Sequence, residues 1–334
     1  MSSVQENDPP PTTKEYIMGL IEPSILLLWA AKVYVKTVCD VIFRQRRPLR
    51  PLLEFHAVRD EAFARFWVEF SIPASERGTA TAMSKGEHAE KETETEPTMP
   101  DPSQLVGSAA LVPPLLLRAK GIVLDVGPGT GTQMPFLAAA EKKNGIRAIF
   151  GAEPCIGLHE DLRRKAATWR LQDKYHVGPW AVDGKDSTVQ ALVKAVRQHQ
   201  RNSKEEEERS TDATVGVFDT IVCVRVLCSV PHPELSVAML YDLLKPGGEL
   251  LVVEHTVNPY SFTRSQGSLL ARLLQGLYQL LGWSFFIGDC HMNRNTEKYL
   301  LQAAQKDGGW AKVDLQRKWL WSTMPYIAGS LVKK

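Results

Sequence analysis

The chain has 334 residues, with 40 Lys and Arg against 38 Asp and Glu, so its formal net charge of +2 offers no electrostatic attraction to a polyanion. Hydrophobic residues make up 44% of the sequence, which is enough for a globular core. Basic residues cluster visibly only at Arg44, Arg46, Arg47 and Arg50, so no nucleic-acid partner is predicted. The five cysteines form no CxxC pair. Their spacing therefore predicts neither a metal site nor a disulfide framework, and is typical of reduced thiols facing the cytosol.

The N-terminal region has two parts. Residues 1–15 are polar and proline-rich, and we expect them to be disordered. Residues 16–43 are largely apolar, but charged residues interrupt them, and no run reaches the roughly 18 residues of a simple transmembrane helix. Because the basic segment RQRRPLR follows directly, residues 16–50 are predicted to form a membrane-association helix or hairpin. The alternative is an amphipathic helix that packs on its own domain.

The rest of the chain divides by composition. Residues 51–73 are predicted to be a helix with one mostly aromatic side, formed by Phe55, Val58, Phe63, Phe66 and Phe70. Residues 74–104 are predicted to be a low-complexity linker. Residues 105–334 form the main domain, which a polar insert at 198–213 interrupts. Within this domain, apolar strand-like runs alternate with segments of helical length, which predicts a parallel sheet with helices on both faces. The predicted strands are 121–126, 146–151, 176–182, 217–224 and 249–254, followed by a hairpin of 311–319 and 325–333.

A glycine-rich turn follows the first of these strands. Gly127, Gly129 and Gly131 allow the backbone to turn sharply and to approach a ligand closely. Their GxGxG spacing departs from the GxGxxG pattern of dinucleotide-binding domains. Asp125 stands two residues before the first glycine, where a carboxylate would repel a pyrophosphate but suits the amino group and sulfonium of S-adenosylmethionine. The turn is therefore predicted to bind S-adenosylmethionine, and a nicotinamide-dependent oxidoreductase is disfavoured.

Acidic residues end the next two strands. Glu153, 22 residues after Gly131, is placed to accept hydrogen bonds from both ribose hydroxyls of the cofactor. Asp183 is placed either to reach the adenine edge or to cap the following helix. The segment LKPGGELLVVEH at 244–255 adds a Pro-Gly-Gly turn and a buried strand, a combination typical of methyltransferase domains.

These motifs carry a family resemblance. Residues 121–255 resemble class I S-adenosylmethionine-dependent methyltransferases through VLDVGPGTG, Glu153 and LKPGGELLVVEH. A closer resemblance, to the methyltransferase-like seven family of membrane-associated thiol methyltransferases, lies in VCVRVLCSV, GDCHMNRNTEKYL and WLWSTMPYIAGSLVK. It implies a doubly wound, seven-stranded Rossmann-like α/β fold and an anchor in the endoplasmic reticulum or lipid-droplet membrane. Pro128 replaces the more usual cysteine of the glycine loop.

The expected reaction is methyl transfer to a small lipophilic acceptor, first of all a thiol. A thiol with a pKa of about 8.5 already ionises partly at neutral pH and needs little base catalysis. A phenol or amine would gain more from a base, for which His255 after the fifth strand is the best-placed residue. The Leu-rich segment 264–281 is expected to cover the acceptor pocket. Two alternatives stay open: methylation of oxygen or nitrogen in a secondary metabolite, and a non-catalytic, membrane-tethered cofactor-binding protein.

Overall fold

A computed structural model of the chain describes residues 3–6, 9–71, 99–202, 216–261 and 267–334. Its described strands form one eight-stranded sheet in the order β1-β7-β8-β6-β5-β2-β3-β4. Strand β8 runs antiparallel to both of its neighbours, and every other pair is parallel. The strands are β1 (Ser3–Glu6), β2 (Gly121–Val126), β3 (Ile146–Ala152), β4 (Tyr175–Gly178), β5 (Phe218–Val224), β6 (Leu244–His255), β7 (Lys312–Lys318) and β8 (Tyr326–Val332).

Helices cover both faces of this sheet. They are α1 (Thr13–Cys39), α2 (Arg50–Leu53), α3 (Phe55–Ser71), α4 (Val112–Leu116), α5 (Met134–Asn144), α6 (His159–Thr168), α7 (Asp186–Asn202), α8 (Pro233–Leu243), α9 (Leu269–Leu280), α10 (Trp283–Phe286) and α11 (Thr296–Ala303). Residues of α7, α8 and α11 pack on one face of the sheet, and residues of α4, α5 and α6 pack on the other. The predicted Rossmann-like α/β fold is confirmed.

The strand count differs from the predicted seven. Residues 3–6, expected to be disordered, form β1 and pair in parallel with β7. The disordered segment was predicted to extend to residue 15, but α1 already begins at Thr13. An exposed sheet edge presents unpaired N–H and C=O groups, and β1 forms hydrogen bonds with those of β7. This pairing joins residues far apart in the chain, so the composition of residues 1–15 could not indicate it.

The predicted membrane-association segment 16–50 consists mainly of one continuous helix. Thr12 and Glu15 form a capping box at the start of α1, and a π-helical turn, Asp40–Arg44, extends its end. Among the described residues, no helix is both long enough and apolar enough to cross a membrane. One face of α1 packs against α3, where Leu27, Ala30 and Phe66 share a buried cluster. This packing agrees with the alternative of an amphipathic helix on its own domain.

The predicted helix 51–73, the linker 74–104 and the insert 198–213 lie only partly within the residues that the structure describes. The helix expected at 51–73 is split into α2 and α3, because the backbone leaves the helical region at Glu54. Most of the linker 74–104 lies outside the described residues, which resume at Met99. The insert 198–213 is described only to residue 202, where α7 ends.

Candidate active site

A large cavity opens at the carboxyl ends of the parallel strands, where α/β folds of this kind bind ligands. Its volume of about 970 Å³ is at the upper end for small-molecule sites, and leaves room for two molecules. One end is formed by the glycine loop and the ends of β3 and β5. The other end is mostly apolar, and helices α1 and α3 supply much of its wall, which also includes the charged residues Glu15, Glu22, Arg59 and Asp60.

The glycine loop adopts the conformation for which its glycines are needed. Gly127, Gly129 and Gly131 all have positive φ, between 58° and 71°, which disfavours other residues. A Cβ at Gly129 would also stand 2.9 Å from the indole nitrogen of Trp67 on α3. Gly127 and Gly129 line the cavity, whereas Gly131 packs against Leu162 and turns the chain toward α5. The loop thus exposes its backbone to the cavity, as a close ligand approach requires.

Glu153 joins this loop to the end of β3. Its carboxylate accepts hydrogen bonds from the backbone N–H of Gly129 and of Cys155, each at 2.9 Å. Burial raises the pKa of Glu153, and these two hydrogen bonds offset only part of that rise. The side chain is buried and lines the cavity, the position predicted for the residue that accepts hydrogen bonds from the ribose hydroxyls.

Asp125 lies beneath the cavity wall instead of on it. The hydroxyl of Tyr175 on β4 donates to its Oδ2 at 2.8 Å, a partner that the sequence did not indicate. Its Oδ1 is buried and has no hydrogen-bond partner in the part of the chain that the structure describes. Burial raises the pKa of Asp125 to about 7, although the Tyr175 hydrogen bond acts in the opposite direction. A buried carboxylate with a spare oxygen next to the glycine loop fits a cationic ligand group.

Asp183 lies in the turn that precedes α7, at the edge of the cavity. It lines the cavity, and its Oδ1 accepts a hydrogen bond from the backbone N–H of Lys185 at 3.1 Å. Its Oδ2 lies 3.0 Å from the Lys185 amino group. The turn into α7 therefore fixes the carboxylate at the edge of the cavity.

His255 lies on the cavity wall at the end of β6, but it is not an isolated base. Its Nε2 is 3.1 Å from the Sγ of Cys290, and Cys228 adjoins them. The neighbouring Glu254 accepts hydrogen bonds from the backbone N–H groups of Val226 and Leu227, and so fixes the loop after β5. Neither Cys290 nor Glu254 was predicted as part of the site, because the sequence gives no sign that Cys290 meets His255, which is 35 residues away.

The described part of the Leu-rich segment 264–281, residues 267–281, does not line the cavity, contrary to the prediction. Helix α9 buries Ala271, Gln275 and Tyr278, while the leucines of its opposite face are exposed. The amide of Gln275 tolerates burial because it is hydrogen-bonded: it donates to the carbonyl of Thr323 and accepts from the N–H of Asn258, both at 2.9 Å. Helices α1 and α3 provide the apolar wall in its place, through Met18, Pro23, Leu26, Phe63, Phe66, Trp67 and Phe70. In the sequence, the aromatic residues on one side of the predicted helix 51–73 were the feature that could have indicated this apolar wall.

A doubly wound sheet, a glycine loop and an acid at the end of β3 define a nucleotide-type cofactor site in an α/β enzyme. Residues 106–311, more than half of the chain, match the methyltransferase domain family, and the chain belongs to that family. It is a class I S-adenosylmethionine-dependent methyltransferase that resembles the thiol S-methyltransferases, and S-adenosylmethionine is its cofactor.

The similar proteins differ in the acceptor that they methylate. Thiol S-methyltransferase TMT1B of Rattus norvegicus is 33% identical over 121 residues, covering 35% of this chain and 44% of that protein. Phosphatidylethanolamine N-methyltransferase of Cereibacter sphaeroides is 27% identical over 165 residues, covering 49% of this chain and 63% of that protein. The chain thus spans about half the length of these relatives. Geranyl diphosphate C-methyltransferase from Streptomyces coelicolor A3(2) superposes with a TM-score of 0.39 and 12% identity, covering 64% of this chain and 73% of that one.

Proposed function

We propose that the protein transfers a methyl group from S-adenosylmethionine to a small lipophilic acceptor, most favourably a thiol. The observation that carries this proposal is the form of the cavity. One continuous space joins the glycine loop to an apolar chamber, so cofactor and acceptor share a single enclosure. Aromatic and aliphatic side chains of α1 and α3 suit an apolar molecule better than a peptide or a nucleotide.

The residues at the polar end fit the cofactor. Glu153 is proposed to accept hydrogen bonds from the ribose hydroxyls, and Asp183 to stand near the adenine. Asp125, buried just beneath the glycine loop, is proposed to balance the positive charge of the amino acid part, while Gly127 and Gly129 let the backbone approach it and Gly131 completes the turn. The bound cofactor supplies a methyl group on a sulfonium, so the protein mainly has to align the acceptor and exclude water.

The acceptor loses a proton during the reaction. A thiol of ordinary pKa provides enough thiolate near neutral pH to react without a strong base. Among the cavity-lining groups, the imidazole of His255 is placed to take the proton of a more weakly acidic acceptor. The similarity to the thiol S-methyltransferase supports the thiol, and the similarity to the phosphatidylethanolamine N-methyltransferase supports nitrogen as the second candidate.

We also propose that the protein rests on the cytosolic surface of the endoplasmic reticulum or of lipid droplets. Tyr278 of α9 donates a hydrogen bond to the Leu20 carbonyl of α1 at 3.0 Å, so these two helices lie side by side. Each exposes a row of apolar residues: Ile17, Ile21, Ile25 and Leu28 on α1, and Leu270, Leu273, Leu277 and Leu280 on α9. The exposed Arg44, Arg46 and Arg47 follow α1 and complement anionic lipid headgroups. This arrangement supports contact with one leaflet through 16–50 and α9 together.

A matched acceptor series tests the proposed reaction. The full chain with lipid vesicles and labelled cofactor is offered aryl and alkyl thiols, and the phenols, alcohols and amines of the same carbon skeleton. We expect methylated thiol to dominate, and Glu153→Ala to reduce the label transferred. Preferential labelling of amines or alcohols would favour the second candidate. Cofactor binding without label transfer to any acceptor would leave only the non-catalytic alternative.

A further inference from the structure

Three side chains with metal-binding atoms converge on the wall of the cavity. Cys228 lies in the loop after β5, His255 is the last residue of β6, and Cys290 lies in the loop between α10 and α11. The two sulfurs and the imidazole nitrogen all lie within 4.8 Å of one another. The three side chains are buried from bulk solvent, yet all line the cavity. They form a cluster of ligand atoms at the wall of the cavity.

The donor set and its dimensions fit zinc. In a tetrahedral site with Zn–S near 2.3 Å and Zn–N near 2.0 Å, ligand atoms stand about 3.5–3.8 Å apart. The three atoms are already within about 1 Å of such spacings. Two thiolates and an imidazole favour zinc over magnesium or calcium, which take oxygen ligands. The nearest carboxylate in sequence, Glu254, uses both oxygens on backbone N–H groups and adds none.

Each of the three residues is held by its own supporting contact. The indole N–H of Trp283 donates to the Sγ of Cys290 at 3.2 Å. The carbonyl of Cys228 accepts from the N–H of His291 at 2.9 Å, and the carbonyl of His255 accepts from the hydroxyl of Thr296 at 3.0 Å. Such outer contacts orient metal ligands in proteins. They indicate a prearranged site, because a strand end and two loops from distant parts of the chain are fixed around one point.

We propose that Cys228, His255 and Cys290 bind one zinc ion whose fourth position takes the sulfur of the acceptor thiol. Three protein ligands with one open position are the arrangement of catalytic zinc sites. The inference rests on the proposed thiol acceptor, and it makes His255 a metal ligand instead of a base.

The acceptor thiol releases its proton to solvent as its sulfur binds the zinc ion, because a thiol that coordinates zinc is deprotonated. A lone pair of this sulfur then forms the new S–CH₃ bond. The bond between the methyl carbon and the cofactor sulfonium breaks, and its electron pair stays on the cofactor sulfur. The products are a neutral thioether and S-adenosylhomocysteine, and the thioether leaves because it binds zinc more weakly than a thiolate does.

Metal content tests the site without reference to activity. The full chain is purified without affinity metal, under a phosphine reductant, and dialysed before elemental analysis. We expect about one zinc per chain, with most of it lost in Cys228→Ser and in Cys290→Ser. The matched control is Cys39→Ser, since Cys39 is exposed on α1 and lies away from the cavity. Equal, near-zero zinc in all four proteins after incubation with zinc would overturn the proposal, as would a Cys228–Cys290 disulfide in protein purified without reductant.

Cobalt in place of zinc tests the open position. Co²⁺ bound by two thiolates in a tetrahedral site gives visible absorption bands, which we expect in the wild type and in Cys39→Ser only. Addition of an aryl thiol should shift these bands, while the phenol of the same skeleton should leave them unchanged. Bands that no thiol shifts would overturn the assignment of the fourth position.

The two proposals fail separately. Methylated thiol from a chain that binds neither zinc nor cobalt removes the metal site and keeps the thiol methyltransferase. Stoichiometric zinc without any methylated thiol keeps the ligand set, removes the thiol acceptor and removes the role of the fourth position.

Discussion

At the scale of single residues, Glu153 is expected to decide cofactor affinity. Its carboxylate lies on the cavity wall beside the glycine loop and holds the N–H of Gly129. A charge-assisted hydrogen bond contributes about 1.5–3 kcal/mol, so the loss of one ribose contact in Glu153→Ala should already weaken S-adenosylmethionine binding by roughly 10- to 150-fold. Titration calorimetry with the purified full chain measures this loss.

The control for this change is Glu160→Ala, because Glu160 is an exposed acid on α6 that does not line the cavity. Its affinity should equal that of the wild type. If Glu153→Ala also keeps the wild-type affinity, the assignment of Glu153 to the ribose is wrong.

The buried Asp125 makes the stability of the cofactor-free protein depend on pH. Its pKa rises from 3.8 to about 7 on folding, chiefly through burial. The folded state therefore keeps the proton over a pH range in which the unfolded chain has lost it. The resulting stabilisation is full below about pH 4 and is lost as pH rises toward 7, a change on the order of 4 kcal/mol. Urea unfolding between about pH 5 and pH 8 should show the free energy of unfolding falling over this range.

Asp125→Asn isolates this effect, since an amide does not ionise. The variant should lose less stability than the wild type over the same pH range. Asp173→Asn, at an exposed position, should follow the wild-type curve. Parallel curves for all three proteins would show that Asp125 does not carry the pH dependence.

At the scale of the elements, helix α3 forms the lid over the glycine loop. The indole nitrogen of Trp67 stands over Gly129, and its ring lies 5.8 Å from that of Phe63 and 5.5 Å from that of Phe70. Trp67→Ala would remove the centre of this aromatic wall. We expect the KM for an apolar acceptor to rise about tenfold, which corresponds to about 1.4 kcal/mol of lost contact. Steady-state kinetics with a fixed thiol measures the change.

Val68→Ala is the matched control, because Val68 follows Trp67 on α3 and is exposed. Trp67→Phe should restore most of the lost affinity by keeping an aromatic ring. An unchanged KM in Trp67→Ala would place the acceptor elsewhere in the cavity.

At the scale of the whole molecule, the apolar rows of α1 and α9 are expected to hold the protein on membranes. Burying a leucine side chain contributes about 1.5–3 kcal/mol. Leu273→Ser, Leu277→Ser and Leu280→Ser together should therefore lower partitioning onto anionic vesicles by at least about tenfold. Sedimentation with vesicles measures the bound fraction, and high salt should weaken only the contribution of the arginines.

The control for the triple variant carries Ile156→Ser and Leu235→Ser, which remove exposed apolar residues from other surfaces. It should pellet with vesicles as the wild type does. Equal pelleting of the triple variant would mean that α9 does not touch the membrane.

The sequence alone determined the features that depend on local order. Strand β2 (Gly121–Val126) and the glycine loop follow each other directly, so one segment specifies both a buried strand and a turn that only glycine adopts easily. Glu153 and Asp183 were predicted to lie near this turn because the carboxyl ends of parallel strands share one edge of the sheet, and the structure places both on the cavity wall. The cofactor follows from these features and from the family match.

Only the tertiary structure decided which surfaces face inward. Periodicity shows that α9 has two faces, but the hydrogen bonds of Gln275 to Thr323 and Asn258 turn its polar side into the core and its leucines outward. Tyr175 reaches Asp125 across 50 residues, and Cys228, His255 and Cys290 meet from two loops and the end of β6. These contacts arise when the sheet brings distant segments together, and the spacing of residues along one chain carries no direct record of them.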